Sequence, residues 1–191
     1  MDPELSIALV RAAGYSTYSA IATLIVAAVT IALFFGGAGQ FWGPVNDVFV
    51  SLTVLLLVLP VLAVLLLAGD QAGWWFSVLS WLTIAGLLLV AAGQLLLVAG
   101  AITLNTSFLT GGIGIAPFLL WALATIWTAW TFGVPSIMVG FLLAGVLVMS
   151  ALTTAVSLAL PGVATGIVSA VLTLALCAWM AALGSDLLGR A

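Results

Sequence analysis

Apolar residues in this chain run continuously instead of alternating, in blocks such as 47–68 and 74–104. That pattern leaves few folds open, because the strands of a membrane barrel would read apolar-out, polar-in. Of the 191 residues, 66% are hydrophobic and 4% charged, whereas a soluble domain keeps about 25% charged residues. No water-facing surface can be assembled from so few charges, so the chain is expected to be an integral membrane protein with hydrocarbon as its outer solvent. In lipid every backbone N–H and C=O needs an internal partner, which a helix supplies within its own segment. The expected fold is therefore all-α: a polytopic integral membrane protein, a bundle of six transmembrane helices forming one membrane domain over 1–191.

The spans are expected at about 16–35, 47–68, 74–104, 115–132, 136–159 and 163–183. A short surface helix at 2–14 precedes them, with Asp2 as N-cap, Pro3 in the first turn and Glu4 complementing the helix dipole. Pro60 should kink the second span near its middle. The third span is long: at about 1.5 Å per residue it exceeds a hydrocarbon core of roughly 30 Å, so it tilts, protrudes or breaks. Residues 69–73 read as a tight polar turn, and 36–47 and 105–114 as glycine-rich loops.

An even number of spans puts both termini on one side. Arg11 and Arg190 are the only basic residues and flank the first and last spans, so both ends are expected in the cytoplasm of a multi-pass cell-membrane protein. Trp74, Trp75, Trp127, Trp130 and Trp179 then fall near inner ends, with Trp42 and Trp121 near outer ends, as an interfacial belt would. The acidic start, Met1-Asp2-Pro3-Glu4, is unlike a signal peptide, and no cleavage is expected.

The stretch 36–47 combines dense glycine with Gln40, Trp42, Pro44, Asn46 and Asp47, and it marks a candidate functional mouth on the outer side. Asp47 and Ser51 are one turn apart, and Asp47 or Asn46 is placed to cap the second span. Gln94 lies in the third span, and Asn105 follows about three turns later on what would be the same face. An amide in hydrocarbon needs partners, so that face should look inward. The candidate ligand-binding residues are thus Gln94, Asn105, Asp47, Gln40, Trp42, Asn46 and Ser51; Trp42, Trp81 and Trp121 would add apolar wall, with a belt or core role the stronger expectation for each.

Gly86, Gly93 and Gly100 recur every seven residues and form a groove for close helix packing, within the chain first and across a homo-oligomer or membrane-partner seam second. Gly162, Gly166 and Ala170 make a similar series. Hydroxyl strips (Ser16, Ser19, Thr23 and Thr30; Ser150, Thr154 and Ser157; Ser169 and Thr173, with Cys177) should bond back to their own helix or across to a neighbour.

Several chemistries are disfavoured. Lys+Arg number 2, Asp+Glu 5 and His 0, for a net charge of −3, so there is no basic footprint for nucleic acid. With one cysteine, Cys177, and no histidine, no metal site, haem ligation or internal disulfide is expected, and no cofactor. Asp47 and Asp70 sit at opposite ends of one span, roughly 34 Å apart, too far to share a proton as a protease dyad must. Serine nucleophiles have no His or Lys base, so no catalytic residue is assigned and enzymatic activity is disfavoured. What fits is a membrane protein that binds or transports a neutral or apolar small molecule or lipid in an outward-facing cavity. The alternative is a non-catalytic membrane subunit or scaffold that packs on a partner through its glycine-rich faces.

Overall fold

The computed structural model describes residues 3–132 and 163–191, and every element in them is α-helix. In chain order these are α1 (Pro3–Phe35), α2 (Trp42–Leu56), α3 (Val58–Ala72), α4 (Trp74–Val98), α5 (Leu104–Phe132) and α6 (Val163–Gly189). Four runs are long and apolar enough to cross a bilayer: Ser6–Phe35, Trp42–Ala68, Trp74–Val98 and Leu104–Thr125. A shorter apolar run, Thr173–Gly189, lies in α6. The expected span at 136–159 falls outside the described residues, as do Ser150, Thr154, Ser157 and Gly162 and the side chains of Trp127 and Trp130.

Where the helices begin and end differs from the sequence reading in four places, one of them the loop expected at 36–47, which is helix from Trp42 on. No break separates a surface helix from a first span, because α1 is one helix of 33 residues. Gly14 does not interrupt it; a Cβ there would meet Leu188 Cγ at 2.7 Å, so the glycine serves packing against α6. The polar turn expected at 69–73 shrinks to Gly73, whose φ of 85° joins α3 directly to α4.

The long third span breaks after Val98, one of the three outcomes expected of it. Ala101 N donates to Leu96 O at 2.8 Å and Gly100 N to Leu97 O at 2.9 Å, with Gly100 at φ 70°. This is a glycine-terminated helix end of the kind that satisfies the last carbonyls. Gly37, φ 82°, closes α1 in the same way, through Ala38 N to Leu33 O at 3.0 Å and Gly37 N to Phe34 O at 3.3 Å. The fourth difference is the loop expected at 105–114, which is helix. Thr103 caps it, its Oγ1 accepting from Thr106 N at 3.4 Å. The helix contains three glycines, Gly111, Gly112 and Gly114, each with a helix penalty of about 1 kcal/mol, less than an unpaired backbone group would cost in hydrocarbon.

Pro60 acts as expected. It cannot donate to Leu56 O, and the helix is interrupted at Leu57. The carbonyl left over accepts instead from Ser16 Oγ on α1 at 2.6 Å. Hydroxyls behave as expected of a membrane helix: Thr17 donates to Ala13 O, Thr30 to Ala27 O and Ser80 to Phe76 O, each at 2.8 or 2.9 Å.

Helices pack as antiparallel neighbours, α1 on α2 and α6, α4 on α5, α2 and α3. Small residues set the closest approaches. A Cβ on Gly86 would strike the Gly114 carbonyl, and one on Gly114 would meet Gly86 O at 2.6 Å. Gly93 faces Thr110, but Gly100 meets nothing, so the seven-residue glycine series splits into two packing positions and one turn. Gly14 and Gly184 make the corresponding approach between α1 and α6.

Trp121 and Trp179 are not belt residues. Both are buried, in one cluster with Phe76 and Phe118: Phe118 and Trp121 stack at 6.2 Å, and Trp179 meets both edge-on at 5.9 and 6.2 Å. Trp121 Nε1 donates to Ser80 Oγ at 3.0 Å, which satisfies the indole inside the core. Trp74 and Trp81, 80% and 59% exposed, face outward.

Candidate functional site

Ser51 fixes the local geometry. It is buried on α2, and its Oγ lies 2.9 Å from Asp47 O of its own helix and 3.4 Å from Ala91 O of α4. That shared hydroxyl brings α2 and α4 together at this level. Asp47 is one turn before Ser51, and Gln94 nearly one turn after Ala91. Residues at i, i+3 and i+4 share a helix face, so both project toward the same seam, nearer the end where α1 turns into α2.

Asp47 does not cap its helix, and neither does Asn46. α2 begins at Trp42 with Phe41 before it, so both lie inside the helix, where their backbone amides are already committed. Asn46 Nδ2 instead donates to Asp47 Oδ1 at 3.3 Å, and both side chains are half-buried. Gln94 is half-buried too, and its amide has no hydrogen bond to the described residues. Among the half-buried amides of the sequence candidates, Asn46 is bonded to Asp47 and Gln94 has no bond to a described residue.

The other candidates are spread out. Asn105 is exposed in the first turn of α5, on a different helix from Gln94, so the shared face expected of them does not exist once the chain turns at Gly100. Gln40 is exposed in the turn between α1 and α2. Trp42 is half-buried and meets Phe41 edge-on at 5.6 Å. Trp81 faces outward and Trp121 is core, so neither lines this seam.

Thr110, on the α4–α5 face next to this seam, was not among the sequence candidates. It stands against Gly93, the residue before Gln94, with its hydroxyl turned back to Thr106 O and Ser107 O at 3.0 and 3.1 Å. Thr103, a residue type favoured at helix N-caps, was the signal that a helix starts at Leu104.

The chemistry on offer is hydrogen bonding: a carboxyl at Asp47, amides at Asn46 and Gln94, and apolar surroundings. No group of three His, Cys, Asp or Glu side chains converges among the described residues. Comparison with known proteins places the chain beside none of them, since no family model matches it and neither a curated protein nor a solved structure matches it.

Proposed function

We propose that the protein binds or transports a neutral or apolar small molecule or lipid, held on the outward side of the α2–α4 seam. The observation that carries this reading is Gln94, half-buried and without a hydrogen-bond partner among the described residues, on the face that α4 turns toward Asp47. Ligand sites are mostly apolar with a few placed polar groups, and this seam has that character. A strongly ionic substrate would need buried counter-charge beyond a single carboxyl.

The same reading takes the molecule as six-spanning with both ends in the cytoplasm. Support comes from α6 returning antiparallel along α1: Arg11 Nη2 donates to Ala191 O at 3.3 Å, and Arg190 lies at that same end. α5, antiparallel to α4, also ends on that side, whereas α6 starts on the other. These returns favour an even number of crossings, which the positive-inside rule would then orient with both ends inside. A scaffold docked through Gly86 and Gly93 has less support, because α5 of the same chain covers both.

Gentle extraction followed by native mass spectrometry tests the proposal. A small molecule should accompany the wild-type protein and be lost from Gln94→Leu, while Gln40→Leu, in the exposed turn, retains it. Retention by Gln94→Leu would sink the site; a protein companion in place of a small molecule would favour the scaffold.

A further inference from the structure

The break at Leu57 divides one membrane-length run into two halves held in different ways. α2 is tied by side-chain hydrogen bonds on both sides: Thr53 Oγ1 donates to Thr23 Oγ1 of α1 at 2.8 Å, and the Ser51 hydroxyl bridges toward Ala91 O of α4. Immediately past the break, 58–68 has no polar side chain at all, so that part of α3 is held only by apolar packing on α1 and α4. Between helices in lipid such packing has weak net drive, because acyl chains are as apolar as the neighbours they replace.

The break itself is built to stay satisfied. Pro60 is fully buried and removes the amide that would bond Leu56 O, and Ser16 Oγ supplies the missing donor from another helix at 2.6 Å. Leu57 N to Thr53 O at 3.1 Å and Val61 N to Leu57 O at 3.3 Å continue the ladder on either side. The Leu56 carbonyl therefore has a partner that does not depend on where α3 points.

We propose that α3 is a hinged arm that pivots about Leu57 while α2 stays fixed, with Ser16 holding the Leu56 carbonyl at the pivot. The arm lies on the side opposite the Asp47–Gln94 seam, so its movement would alter the other mouth of the bundle.

Spin-label distances on the full chain in lipid nanodiscs, in a Cys177→Ala background, test this directly. One pair reports the arm, Leu66→Cys on α3 with Val78→Cys on α4; the other reports the fixed half, Leu52→Cys on α2 with Leu88→Cys on α4. All four positions are exposed. The α3 pair should give the broader distribution, with a second, longer-distance population that Pro60→Ala removes, while the α2 pair stays narrow throughout. Equal widths for the two pairs in the protein with Pro60 would overturn the hinge, whatever the variant does. Thermal unfolding supplies the second arm. Ser16→Ala should lower the midpoint when Pro60 is present and have much less effect beside Pro60→Ala, where residue 60 regains an amide for Leu56 O. An equal loss in both backgrounds would remove Ser16 from the pivot.

Discussion

A methyl group added at Gly86 would run into the backbone of α5, whereas one added at Gly112 would meet nothing within 4 Å. The two glycines therefore predict opposite outcomes for the same change. Gly86→Ala should destabilise by about 1–3 kcal/mol, the usual cost of overpacking, since a rigid carbonyl cannot step aside. Gly112→Ala should stabilise by up to about 1 kcal/mol, through helix propensity alone. Reversible unfolding in mixed micelles measures both. At this scale the sequence was informative about spacing and silent about partners. The seven-residue series correctly put Gly86 and Gly93 on one packing face, but nothing in it distinguished Gly100, whose positive φ ends the helix. Asp47, Ser51 and Gln94 were each singled out, but the argument for Gln94 leaned on Asn105. Thr110, which α5 sets against the neighbouring Gly93, was not singled out at all.

Elements were easier to recognise than their ends. Hydropathy fixes where a backbone must pair internally, so the long runs were legible as helices without reference to any partner. Helix ends follow turn chemistry learned in water, and there the reading failed: dense glycine at 105–114 suggested a loop, but the stretch is helix. Gly100 is the residue whose conformation separates α4 from α5, and an L side chain at φ 70° is disfavoured by roughly 1–2 kcal/mol. Gly100→Ala should accordingly lower stability by about that amount although no atom crowds the site, and Gly100→Asn should lower it less. Comparing the two by denaturant unfolding separates backbone strain from steric conflict, since asparagine is the larger side chain. Pro60 shows the other case, in which a local rule alone placed the break to within a turn.

In the whole molecule, contacts between the first and last described helices are the ones hardest to read from sequence, because nothing local encodes them. Tyr18 OH and Ser185 Oγ are 2.6 Å apart, and Gly14 and Gly184 let α1 and α6 approach closely enough for it. Tyr18→Phe should cost about 0.5–1.5 kcal/mol, the net worth of one such bond, with helix content unchanged by circular dichroism. If the two ends share a side, an impermeant maleimide applied to sealed vesicles should treat cysteines at 11 and 191 alike, both labelled or both protected, in a Cys177→Ala background. Opposite labelling would break the antiparallel return of α6. The aromatic quartet has a further consequence. Indoles locked at fixed angles in an asymmetric setting are optically active, and that activity vanishes when tertiary packing loosens even if helices persist. With Trp121 and Trp179 perpendicular at 6.2 Å across α5 and α6, near-ultraviolet ellipticity offers a label-free gauge of whether the last helix is seated.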